Sequence, residues 1–188
     1  MAKYTREKII EAFFELAINH PEKTSFTMVE IAEQAGISRQ AIYQKHFKNF
    51  QEIIDYVHNL IDEQIYQIYD NYDMTSNVNP FDYVAENVLP TIYKNRKWIS
   101  CLYTSAIDPS FEGFIVSTYT KWGMRNIRPK SEIFHLPDEV LIQLIVEQTT
   151  MIIKDWITQE KPTPPGLFKE DFLQLVKSPL YDYLTMEP

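Results

Sequence analysis

The sequence predicts an all-α fold, with a small N-terminal helical bundle followed by a larger helical body. Three observations point that way. Apolar residues recur at spacings of three and four along most of the chain. Only four glycines occur in 188 residues, and the alternation of a half-buried strand is scarce. Cap-forming residues and prolines also punctuate the chain at intervals that suit helices. At 45% hydrophobic residues the chain can bury a substantial core.

The net charge of −8 is unevenly shared. Residues 1–50 hold seven Lys/Arg against six Asp/Glu, whereas residues 51–188 hold eleven against twenty. The acidity belongs to the second part, so the first can still meet a polyanion. Cys101 is the single cysteine, so no internal disulfide calls for an oxidising compartment. No apolar run reaches membrane-spanning length, and the opening residues lack the apolar stretch of a secretory signal. A cytoplasmic protein without membrane association is expected.

The first helix is read over Thr5–Asn19, where Ile9, Phe13 and Leu16 share a face that Ile10, Phe14 and Ala17 widen. Pro21 closes it. Thr27-Met28-Val29-Glu30 has capping-box form and opens a second helix facing Met28, Ile31, Ala32 and Ala35 inward. Gly36 breaks the pattern, and Ser38 caps a third helix running to about His46. Asn49 with Glu52 starts a long fourth helix through Ile53, Val57, Ile61 and Ile65. After the polar connector 73–80, helices are expected at roughly 81–93, 95–107, 110–126, 137–159 and 168–177. Breaks are expected at Pro90, at Asp108-Pro109, near Arg128-Pro129 and across the proline-rich 161–166.

The stretch TMVEIAEQAGISRQAIYQKHFKNF, Thr27–Phe50, carries the chemistry. A small residue at 32 lets two helices approach closely, and glycine at 36 accepts the positive φ of a tight turn. Ile37 and Ile42 face inward. Arg39, Gln40, Tyr43 and Gln44 are left outward, able to meet base edges or phosphates.

This pattern, T-x-x-x-I-A-x-x-A-G-I-S-x-x-x-I-Y with H-F and a long helix after it, resembles the TetR family of transcriptional regulators over about residues 5–60. The resemblance implies a helix-turn-helix domain at 1–50 and an effector-binding and dimerisation domain at 51–188. It further implies a homodimeric regulator, typically a repressor that leaves a palindromic operator when a small molecule binds. By position, DNA contacts would fall on Thr27, Arg39, Gln40, Tyr43 and Lys48, with Ser38 counted among them at the helix start. Two departures stand out. Tyr43-Gln44-Lys45-His46-Phe47 is one residue longer than the usual spacing, leaving open whether Lys45 or His46 takes a phosphate, and whether the third helix lengthens or ends in an irregular turn. Phe50 stands where a lysine is common.

In the second part, the 137–159 helix is apolar almost all round, as expected of a helix buried on more than one side. A second copy of the chain would cover it, and the resemblance implies a homodimer through the 137–159 and 168–177 helices. Aromatic residues are dense between 56 and 122, and most are packing residues. Tyr66, Trp98, Tyr103, Trp122, Gln148 and Met151 are the candidates for lining an effector pocket. His58 and Asp62 sit one helical turn apart but supply only two ligands, so neither a metal nor another cofactor is expected. No catalytic constellation can be assembled, and Cys101 reads as a buried, inert thiol. The competing reading is a protein-interaction adaptor that keeps the fold.

Overall fold

In the computed structural model of the protein, the first helix, α1 (Ala2–Asn19), buries Ile9, Ile10, Phe13, Phe14 and Ala17, the face that the spacing predicts. The structure describes residues 2–178 apart from Met74, Asn77 and Phe134; the side chains of residues 2–4, Gln44, Lys45 and Ser131 lie outside that description. Among the described residues all regular structure is helical. The other helices are α2 (Met28–Ala35), α3 (Arg39–Lys45), α4 (Phe50–Asp70), α5 (Pro80–Tyr83), α6 (Leu89–Lys94), α7 (Arg96–Thr104), α8 (Phe111–Asn126), α9 (Asp138–Ile157) and α10 (Pro165–Lys177). A π-helical segment, Val84–Val88, joins α5 to α6, and a short 3-10 turn covers Ser131–Ile133.

Packing divides the chain into two units. The first comprises Met1–Tyr66 with Lys97–Pro109, and the second Gln67–Arg96 with Ser110–Pro188. This differs from a cut at residue 50, because the first part of α4 packs with the helices before it and a later segment returns to join them. Phe13 meets Phe26 edge-on and stacks on Phe50, while Phe14 stacks on Trp98 of α7 at 5.9 Å. Around that aromatic centre, the Ala106 amide donates to the Pro21 carbonyl at 2.7 Å, and Lys97 pairs with Glu15. His58 of α4 pairs with the buried Asp108 at 2.9 Å, not with Asp62. Burial lowers the His58 pKa, against the pull of Asp108 and Asp55. Asp62 is pushed up to about 6 by burial.

In the second unit, the break expected at Pro90 is a continuous helical run. Proline at 90 has no N–H to return and crowds the carbonyl four residues back. The chain widens just ahead of it, with the Leu89 amide bonding Val84 five residues earlier, and continues. The last helix also starts earlier than expected. Pro165 occupies its first turn, where a missing N–H costs nothing. The core here is Trp156, stacked on Phe168 at 4.4 Å and on Tyr93 at 5.9 Å, with its indole N–H donated to the Thr163 carbonyl. Helix α10 is tied down further by ion pairs from Lys169 to Glu86 and from Lys177 to Asp82. Helices α8 and α9 pack where Gly123 leaves room for Ile142.

Candidate nucleic-acid interface

Helix α2 begins with a reciprocal cap. The Thr27 hydroxyl accepts from the Glu30 amide at 3.3 Å, and the Thr27 amide donates to the Glu30 carboxylate at 2.8 Å. Lys23 pairs with the same carboxylate, and together these bonds hold Glu30 down to about 2. The buried face is Met28, Ile31, Ala32 and Ala35, as the spacing predicts. Gly36 then adopts φ 61° and ψ 39°, the left-handed region. Its amide reaches Glu33, and the next amide, that of Ile37, reaches Ala32 at 3.1 Å. This paired closure satisfies the end of α2 and reverses the chain in two residues.

Ser38 restarts the helix by accepting from the Ala41 amide at 3.2 Å. With Ile42 fully buried, the helical period turns Arg39, Gln40 and Tyr43 outward, and all three are exposed. The Arg39 guanidinium lies over the Tyr43 ring, 5.8 Å from its centre. The lengthened spacing ends in an irregular turn. Both His46 and Phe47 donate their amides to the Ile42 carbonyl, at 2.9 and 3.2 Å. His46 takes φ −133° and ψ −77°, neither helical nor extended. That wide turn absorbs the additional residue and returns Phe47 to the core.

Helix α4 then opens on Asn49, whose side chain accepts from the Glu52 amide at 3.0 Å, while the Glu52 carboxylate accepts the Lys48 amide at 2.8 Å. The Lys48 side chain is exposed. His46 is half-buried with Nδ1 shielded from solvent. The side chain of Lys45 lies outside the described residues. Thr27 is exposed, but its one hydroxyl proton is directed at Glu30 at 2.8 Å. To donate to a phosphate it must exchange that bond.

One contribution to this face has no sequence signature. The Arg6 guanidinium of α1 lies over the rings of Phe47 and Tyr56, 5.9 and 5.1 Å from their centres, and those rings meet edge-on at 5.8 Å. A periodicity read within one helix at a time does not connect residue 6 to residue 47.

The six candidate pocket residues have separate surroundings. Trp98 is packed on Phe14, and Tyr66 is exposed. Tyr103 is half-buried in the first unit. In the second, Trp122 leans on Tyr69 and Tyr72, at 4.6 and 6.3 Å, beside a phenol on Tyr69 whose pKa burial raises. The Gln148 amide donates to the Leu175 carbonyl, and Met151 is exposed. Cys101 is buried, and burial raises its pKa. Among the described residues no three His, Cys, Asp or Glu side chains gather as a metal site, and no helix is long and apolar enough to cross a membrane.

No family model matches the chain, and no curated protein does. Solved structures do. A TetR transcriptional regulator from Streptococcus agalactiae is similar at 16% identity, covering 94% of this chain and 96% of that one with a TM-score of 0.55. NalD, described as the secondary repressor of the MexAB-OprM multidrug efflux pump in Pseudomonas aeruginosa, is similar at 17% identity, 93% and 96% coverage and a TM-score of 0.60. DhaS, described as a dihydroxyacetone kinase operon activator, is similar at 19% identity, 92% and 93% coverage and a TM-score of 0.53. The fold is therefore that of TetR-type transcriptional regulators, over nearly the full length of each chain.

Proposed function

We propose that the protein is a homodimeric, ligand-responsive transcriptional regulator that binds double-stranded DNA through α2 and α3. The observation that carries this reading is the left-handed turn at Gly36, which buries Ile42 and leaves Arg39, Gln40 and Tyr43 exposed together on one face of α3. Arg39 and Gln40 have the donors that base edges accept in the major groove. Tyr43, Lys48 and Ser38 are assigned to phosphates, with Thr27 joining them once its hydroxyl leaves Glu30. His46 serves the turn first, which leaves the phosphate role at this corner to Lys45 or Lys48.

We assign dimerisation to α8 and α9 rather than to the 168–177 helix. Val140, Leu144 and Met151 are exposed on α9, and Phe114 and Met124 on α8. At 100° per residue the α9 trio falls within about 40° of arc, a stripe suited to a second copy. Helix α10 spends Phe168 and Phe172 on its own unit. A two-fold protein in turn suits a palindromic site. Effector sensing is assigned to the second part of the chain, where Trp122 and Gln148 belong to one packing unit, while exposed Met151 is given to the dimer stripe. Trp98, Tyr103 and Tyr66 belong to the first packing unit and are not assigned to the pocket. We assign the protein to the cytoplasm, in keeping with this reading, and give it no enzymatic step. The similar solved structures include a described activator and a described repressor; repression is the reading we adopt from the resemblance.

The test is selection of binding sites from a pool of random duplexes at low and moderate salt. Recovery of a palindrome with half-sites about one helical turn apart, bound less tightly as salt rises, is the expected result. Failure to enrich any duplex at either salt favours the interaction adaptor.

A further inference from the structure

We propose that Arg6 is the positioning residue of the DNA-binding face: it fixes the corner between α3 and α4 so that Tyr43 and Lys48 are presented together. Its consequence for DNA rests on the reading above; its geometry does not.

The corner needs fixing. A single carbonyl, that of Ile42, gathers the amides of both His46 and Phe47. The His46 backbone sits outside the helical and extended basins, so local preference does little to hold it there. What pins the turn is the Phe47 side chain, buried to 4% exposure. Its outer wall is Arg6. The guanidinium spans Phe47 and Tyr56, and so joins α1 to the end of the corner and to the first turns of α4 in one contact. Arg6 has no carboxylate partner among the described residues, and its Nε is buried without an acceptor among them. The ring faces therefore locate it. A planar, weakly hydrated cation is better suited to that place than a lysine ammonium. Tyr43 lies one turn before the corner and Lys48 immediately after it. Loosening the corner changes their separation without removing either.

The experiment uses the full-length protein with Arg6→Met and Arg6→Lys. Amide hydrogen exchange without DNA is read at Phe47 and Lys48, with Ile37 in the Gly36 turn as the internal standard. Arg6→Met is expected to lower protection at Phe47 and Lys48 by about tenfold and leave Ile37 unchanged, with Arg6→Lys recovering only part of the loss. Unchanged exchange at Phe47 and Lys48 overturns the proposal, and so does an equal loss at Ile37, which would mark Arg6 as a general packing residue. Affinity for a duplex recovered from the random pool is then measured across a salt series. The expected result is about a tenfold loss with an unaltered salt slope; a slope lowered by about one would mean a phosphate contact and overturns the positioning role. Loss of protection with no duplex recovered by the parent protein upholds the clamp and rejects the DNA-binding reading, which keeps the two failures apart.

Discussion

Ile142 of α9 places its Cγ2 methyl 2.6 Å from the point where a Cβ on Gly123 of α8 would stand. The methyl belongs to a β-branched side chain with 1% exposure, so it cannot swing aside. Gly123→Ala is expected to destabilise the second unit by about 1 kcal/mol, the overpacking cost exceeding the helix-propensity gain. The double variant Gly123→Ala with Ile142→Val keeps a Cγ2 methyl and should recover little. Urea unfolding of the variants checks both expectations, and a stabilised Gly123→Ala would show that the helices separate freely.

Gly36 presents a different case. A Cβ there meets only the Lys8 Nζ, at 3.8 Å, so space is available and the backbone alone objects. Gly36→Ala is expected to cost about 1–2 kcal/mol in the first unit, and Gly36→Asn clearly less, because asparagine tolerates the left-handed region. Thermal midpoints that fall equally for both substitutions would contradict this account.

Asp62 gives a pH dependence of defined sign. Burial lifts its folded pKa to about 6 from 3.8, so the folded protein holds this proton more tightly than the unfolded chain does. The favourable contribution is complete below the unfolded value and is lost as pH rises through 6. Asp62→Asn is therefore expected to raise stability by about 1–2 kcal/mol at pH 8, after allowance for partial solvent access, and to change nothing near pH 3. Denaturant midpoints at the two pH values measure the difference directly.

For the proposed DNA face, Arg39→Ala is expected to weaken binding to a selected duplex by about 1–3 kcal/mol and to relax preference at one base pair of each half-site. Tyr43→Phe keeps the ring that Arg39 lies on but loses the hydroxyl, so sequence preference should survive while affinity drops. Repeating the selection with each variant separates the roles; identical sequence logos for Arg39→Ala and the parent would reassign the base contact.

The dimer assignment is tested at Leu144, exposed at 49%. Leu144→Glu puts a charge in the middle of the α9 stripe and should shift the sedimenting species from dimer to monomer, whereas Leu167→Glu on α10, exposed at 70%, should not.

What the sequence made legible was whatever repeats within one helix or sits at its ends. The inward set of α2 and the caps at Thr27, Ser38 and Asn49 follow from spacing and side-chain chemistry. The glycine turn was equally plain. Contacts between distant parts of the chain left no periodic trace. Trp98 reads as a pocket residue by composition and stacks on Phe14, and nothing in the spacing of α1 signals that Arg6 lies over two rings. The usual effect of proline predicts a break at Pro90, and a local widening of the helix overrides it.

The return of residues 97–109 to α1 and α4 has a practical consequence for anyone building chimeras. A graft cut after Tyr66 would strip Phe14 of its indole neighbour, Glu15 of its lysine and His58 of its aspartate in one stroke. A transplantable first unit must therefore bring along a second piece of chain encoded well downstream, or a substitute that refills the same three places.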